Sequence, residues 1–149
     1  MNINIFTEDV PKDYYTLPFG KASLLKEGDD VTIVTFGSGV HWALEVLAKN
    51  ENIKADLLDL RTLQPLDTEA IFASVKKTGK AIILQEDTMF GGVASDISAL
   101  IMEHCFEYLD GPVKRVASLD SPIPFTKALE DQFLSRSRFE EALKELMAY

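Results

Sequence analysis

The sequence predicts an α/β fold, a three-layer α/β/α sandwich around a mostly parallel sheet of five strands with one antiparallel edge strand. Three observations predict it. Short β-branched apolar runs alternate with stretches of helical periodicity along the chain. Glycine-, asparagine- and aspartate-rich turns punctuate the alternation. The whole is 149 residues, 46% hydrophobic and 26% charged, which suits one globular domain that needs no staples.

The elements follow in order. Residues 1–18 show no sustained period and contain Pro11, Pro18 and the pair Tyr14-Tyr15, which reads as an N-terminal arm or linker. The folded domain is expected over 19–149. Lys21 to Lys26 is a short strand, closed by the turn cluster Glu27-Gly28-Asp29-Asp30. Val31 to Phe36 reads VTIVTF, a buried strand, and Gly37-Ser38-Gly39 ends it. Val40, Ala43, Leu44 and Leu47 then recur at helical spacing up to Asn50. Ala55 to Leu60 is the next strand. Asp67 is placed to cap a helix carrying Ile71, Phe72 and Val75, and Gly79 to stop it. Lys80 to Leu84 is a strand. Gly91-Gly92 opens a helix with Val93, Ile97, Leu100 and Ile101 on one face, and Val113 to Ala117 is the last strand. Ser137 and Glu140 fit a capping box for a final helix with Phe139, Ala142, Leu143, Leu146 and Met147 along one stripe. Strands separated by helices imply parallel pairing with helices on both faces, and the early strand is expected as the antiparallel edge.

Charge and composition narrow the function. The formal net charge is −9, which repels phosphate backbones, excludes nucleic acid as an expected partner and suits a basic protein partner or simple solubility. The single cysteine, Cys105, allows no internal disulfide and reads as a buried structural thiol in a reducing compartment. The N-terminus does not read as a signal peptide, and no run of about 18 apolar residues is present to cross a membrane. A cytoplasmic location is expected.

No set of residues completes an active site. Gly37-x-Gly39 after a strand, with Asp59 near the end of the next, carries part of a dinucleotide-binding fingerprint. Trp42 stands where the third glycine would be, and an indole blocks the close helix–strand packing that glycine permits. A structural turn is the favoured reading, and an independent dinucleotide-binding domain stays as an alternative. His41, in the first turn of a helix, has no nucleophile motif beside it, and His104 reads as packed or solvated. Metal-ligand spacing is absent. Glu86 and Asp87, at a strand's carboxyl end before Gly91-Gly92, can serve as acid and base or cap the next helix. Arg61 can hold a carboxylate or phosphate, or pair with an acid of a neighbouring subunit.

Several stretches taken together resemble a known family. They are Asp13 to Ala22 (DYYTLPFGKA), Val31 to Glu45 (VTIVTFGSGVHWALE), Asp59 to Asp67 (DLRTLQPLD), Glu86-Asp87 with Gly91-Gly92, and Ser118 to Phe125 (SLDSPIPF). In this order they resemble the C-terminal domain of the transketolase superfamily, and most closely the β subunit of thiamine-diphosphate-dependent 2-oxoacid dehydrogenases of the pyruvate, branched-chain and acetoin types. The resemblance implies a five-stranded mixed sheet whose first strand is antiparallel. It implies that thiamine diphosphate and magnesium lie between two other domains of the parent, with no catalytic, cofactor or metal residue in this one. It implies assembly contacts, including homodimer contacts, and docking of an acyltransferase through that partner's small basic subunit-binding domain. Carried over by position, Arg61, Glu86, Asp87, Gly91 and Gly92 match domain or subunit interfaces. Asp110, with the terminal carboxylate of Tyr149, matches the docking side. Gln85 departs from the histidine often found before the acid of the loop, and Leu134-Ser135 departs from the family's leucine-proline. Transketolase and deoxyxylulose-phosphate synthase are the rivals within the superfamily.

Overall fold

A computed structural model describes residues 9–149. Its elements are β1 (Ser23–Lys26), β2 (Val31–Thr35), α1 (Ser38–Lys49), β3 (Ala55–Asp59), α2 (Thr68–Thr78), β4 (Ala81–Thr88), α3 (Ala94–Cys105), a 3₁₀ turn (Phe106–Tyr108), β5 (Lys114–Ser118), α4 (Lys127–Phe133) and α5 (Arg136–Met147). The five strands form one sheet in the order β1-β3-β2-β4-β5. β2, β3, β4 and β5 pair in parallel, and β1 runs antiparallel to β3. β1 therefore lies at the sheet edge, and it pairs with β3 rather than with β2, its neighbour in sequence.

The alternation within each strand divides the core in two. Ile33, Leu57, Ile82, Leu84 and Val116 face Trp42, Ala43 and Leu47 of α1 and Phe139, Leu143 and Leu146 of α5. Val34, Leu58 and Ile83 point to the opposite face, against Ile71 and Val75 of α2 and Ile97 and Ile101 of α3. The three layers follow from this alternation, because a strand buried on both faces needs a helix over each. The inner strands are almost wholly buried, and each fully buried Leu, Ile or Phe contributes about 1.5–3 kcal/mol over its exposed state. Cys105, the last residue of α3, is buried in this second cluster, and burial raises its thiol pKa, so it packs as an apolar group.

Local chemistry fixes the boundaries of α2 as expected. The Asp67 carboxylate accepts from the Ala70 N–H at 3.2 Å, and Gly79 closes the helix in the left-handed conformation at φ 70°. Elsewhere the structure corrects the expected ends. β4 runs four residues past Leu84, through Gln85, Glu86, Asp87 and Thr88, because Thr88 pairs with Ser118 of β5 across a register shift. α5 starts at Arg136, and no capping box forms. Ser137 Oγ donates back to the Leu134 carbonyl, and Glu140 is drawn to Asn50 and Lys144 instead. The short helix α4 had no clear apolar stripe and was not expected; Phe133 is the side chain that it buries. Of the expected arm over 1–18, residues 1–8 lie outside the described residues, and 9–18 contain no helix or strand.

Candidate functional site

The parallel strands give the sheet a polarity, and the predicted residues gather at both ends of it. Arg61, Glu86, Asp87, Gly91 and Gly92 lie at the carboxyl ends of β3 and β4. Asp110 and Tyr149 lie at the opposite, amino end, where the chain enters β5. The structure therefore brings them together as two groups and not as one.

At the carboxyl end the crevice between β2 and β4 is the topological switch point, where α1 leaves over one face and α3 over the other. Its own atoms close it. Thr35 Oγ1 donates to the Leu84 carbonyl at 2.9 Å, bridging the two strand ends. Gly39 packs so tightly there that a Cβ would sit 2.1 Å from Thr35 Oγ1. The glycine turn is thus used to seat α1 on the sheet, with Trp42 buried in the core one turn on.

Gln85 organises the neighbouring loop. Its side-chain oxygen accepts from the Ala94 N–H at 2.8 Å, satisfying one of the free donors at the start of α3. Its amide nitrogen donates to the Thr88 carbonyl at 2.6 Å, and its backbone carbonyl accepts from Ser135 Oγ at 2.7 Å. A Cβ on Gly92 would lie 1.9 Å from the Gln85 amide, so glycine is required beside it. Helix capping, one of the two readings for Glu86 and Asp87, belongs to Gln85 instead. The acids are exposed on the strand extension, and the Asp87 carboxylate accepts from the adjacent Thr88 N–H at 2.7 Å. Sequence reasoning noted Gln85 only as a departure from a histidine. Its signal was a polar residue directly continuing the buried run AIIL.

Arg61 holds the left-handed conformation at φ 57°, uncommon for a side chain with a Cβ. Its N–H donates to the Asp59 carboxylate at 3.0 Å, which anchors the turn and leaves the arginine exposed. The same turn receives the chain as it leaves the arm: the Gly20 N–H donates to Thr62 Oγ1 at 2.9 Å, and the Ala22 N–H to the second oxygen of Asp67 at 3.0 Å.

The amino end contains a buried polar network that the sequence did not announce. Asp56 is 2% exposed. Its carboxylate accepts from the Gly28 N–H at 2.9 Å, Ser74 Oγ at 2.7 Å and Lys77 Nζ at 2.7 Å. Thr32 Oγ1 shares hydrogen bonds with Ser74 and Thr78 at 2.7 and 2.8 Å. Burial pushes the Asp56 carboxyl pKa up, but the bonds from Lys77, Gly28 and Ser74 and the lysine's charge outweigh it, and the net direction is down. Lys77 is shifted up, first by its bond to Asp56. Asp110 lies beside this network. Its N–H donates to the Gly79 carbonyl at 2.8 Å, and its carboxylate fills the space over Gly79 where a Cβ would stand. The Tyr149 side chain packs against Gly111, the next residue, so Asp110 and Tyr149 are neighbours and both exposed.

Among the described residues, every buried side-chain polar atom has a partner. No three His, Cys, Asp or Glu side chains among them converge to hold a metal ion. No helix is long and apolar enough to cross a membrane among the described residues.

A layered domain with these two closed sheet ends defines a class, and comparison supplies the family. Residues 20–138 match the model of the transketolase C-terminal domain, and the chain belongs to that family. It is 43% identical over 145 residues to the 2-oxoisovalerate dehydrogenase subunit beta of Bacillus subtilis, covering 95% of this chain and 44% of that one. It is also 43% identical over 144 residues to the pyruvate dehydrogenase E1 component subunit beta of Rickettsia conorii, with the same two coverages. The acetoin:2,6-dichlorophenolindophenol oxidoreductase subunit beta of Bacillus subtilis is 45% identical over 128 residues, 85% of this chain and 37% of that one. The fold matches a split-gene transketolase, solved as an inactive β4 tetramer, with a TM-score of 0.74 and 28% identity, over 93% of this chain and 46% of that one. The chain thus spans less than half the length of each of these relatives.

Proposed function

We propose that the chain is the C-terminal assembly and docking domain of the decarboxylating component of a 2-oxoacid dehydrogenase complex. The parent oxidatively decarboxylates a 2-oxoacid and passes the acyl group to a lipoyl arm. The observation that carries this reading is the 43–45% identity to β subunits acting on 2-oxoisovalerate, pyruvate and acetoin, over 85–95% of the chain. The split-gene transketolase, at 28%, supports the transketolase alternative less strongly.

The domain makes contacts and is not catalytic by itself. Thiamine diphosphate with magnesium, bound by neighbouring domains of the parent, supplies the decarboxylation chemistry. Arg61, Glu86, Asp87, Gly91 and Gly92 face other domains or subunits, homodimer contacts included. Exposed Asp110, with Tyr149 beside it, on a chain of net charge −9, faces the basic subunit-binding domain of an acyltransferase.

Calorimetric titration tests the reading. A basic acyltransferase subunit-binding domain binds the chain, and binding weakens as salt rises. Asp110→Asn reduces it. Thiamine diphosphate with magnesium gives no saturable binding to the chain. Tight cofactor binding, or no docking at low salt, overturns the proposal.

A further inference from the structure

We propose that the carboxyl ends of β4 and β5 carry a docking platform for the neighbouring domain of the parent enzyme, centred on Phe90, Ile123 and Phe125 and flanked by Leu119 and Leu129. None of these side chains is among the interface residues named above. The proposal rests on the reading of the chain as an assembly domain.

Phe90 is 86% exposed and Ile123 69%, while Phe125 is fully open to solvent. Large apolar side chains gathered at one place on a polar domain mark an interaction surface. Backbone hydrogen bonds hold the margins of the platform. The Phe90 N–H donates to the Asp120 carboxylate at 2.8 Å, joining the loop after β4 to the loop after β5. The Leu119 N–H donates to the Phe133 carbonyl at 3.1 Å, tying the second loop to α4. Pro122 and Pro124 restrict the backbone on either side of Ile123. Ordering these side chains on docking therefore costs less than ordering a free loop.

Charge selects the occupant. The run Ser121 to Thr126 contains no charged residue in a chain of net charge −9. A basic docking domain finds no carboxylate in that run, and the proposed docking residue Asp110 lies at the opposite end of the sheet. A nucleic acid or an anionic membrane finds no cation in that run. What fits is an apolar, uncharged protein surface. The length of the relatives gives it a place: more than half of each lies outside the stretch matched here. The arm also joins the domain at this end of the sheet, where Gly20 is bonded to Thr62 just past β3. The four strand intervals from β1 to β5 span about 19 Å, which keeps the platform within reach of a domain attached there.

The test pairs this chain with the portion of the Bacillus subtilis 2-oxoisovalerate dehydrogenase subunit beta outside the matched stretch, tagged and co-expressed. That portion is first shown to capture its own matching half. It then captures the chain, and the double variant Phe90→Asp, Phe125→Asp lowers capture at least about tenfold. The variant keeps the circular dichroism, the melting temperature and the docking of the basic domain, because the two side chains support nothing beneath them. Equal capture of variant and wild type, or no capture of wild type by the competent portion, overturns the proposal. Sedimentation showing that the chain alone dimerises through these same residues also overturns it, since the occupant is then a second copy. If the control portion fails to capture its own half, the substitutions are placed in a fused chain, with this sequence replacing the matched stretch. Unchanged soluble assembly of that chain overturns the proposal. Loss of basic-domain docking alone would instead fall on the functional reading.

Discussion

The two ends of the sheet solve the same problem with different chemistry. Parallel strands leave polar groups at each end, and both ends bury them. The amino end does so with an ionised pair: Asp56 sits under Lys77 and accepts further bonds from Gly28 and Ser74. The carboxyl end does so with neutral groups, chiefly Thr35 and the Gln85 amide, and it adds exposed apolar side chains on its loops. A buried charge ties one end to pH, whereas a neutral cap does not. The difference assigns the ends separate burdens. The amino end holds the buried acid together with the proposed docking residue Asp110, and the carboxyl end carries the proposed domain contacts.

The largest expected break in this comparison is Asp56→Ala. It strands the Gly28 N–H and the Lys77 ammonium and lowers stability by about 3 kcal/mol, read from urea unfolding. Gln85→Leu comes next. It leaves the Ala94 N–H and the Thr88 carbonyl unpaired and costs about 2 kcal/mol by the same measurement. Gly79→Ala forces a side chain into a left-handed turn against Asp110 and costs about 1–2 kcal/mol. Asp110→Asn changes stability by less than about 0.5 kcal/mol, because its backbone bond to Gly79 survives, and shows itself only in docking.

The pH profile sharpens the contrast. The Asp56 pKa is lower in the folded chain than its ordinary value of 3.8, so the unfolded chain binds the proton more readily. Its stabilisation is full above that value and drains away as pH falls below it toward the folded pKa. Urea midpoints measured from pH 6 to about pH 2 should fall more steeply for wild type than for Asp56→Asn. A matching series on Gln85→Leu should keep the wild-type slope. Parallel slopes for wild type and Asp56→Asn would remove the electrostatic distinction between the ends.

Much of this architecture was legible in the residues. The runs VTIVT and ADLLD, Asp67 and Gly79 mark their elements because local preference and tertiary packing agree there. Legibility failed where a distant partner decided. Gln85 to Thr88 look like a loop, yet pairing with β5 makes them strand. Ser137 and Glu140 look like a cap, yet Leu134, Asn50 and Lys144 claim them. Asp56 reads as one acid of an alternating strand. Its importance comes from Gly28, Ser74 and Lys77, none of them within ten residues of it. The candidate residues were legible singly, through the family resemblance. Their division between two ends was not, because it depends on strand order.

The reversed edge strand has one more consequence. Because β1 runs against its four companions, the arm reaches the domain beside Thr62, while Tyr149 finishes beside Gly111 at the other pole. Had β1 run with them, the arm and Tyr149 would crowd the same pole. One reversed strand of four residues thus sets the arm and the Tyr149 side chain at opposite poles, with the whole depth of the sheet between them.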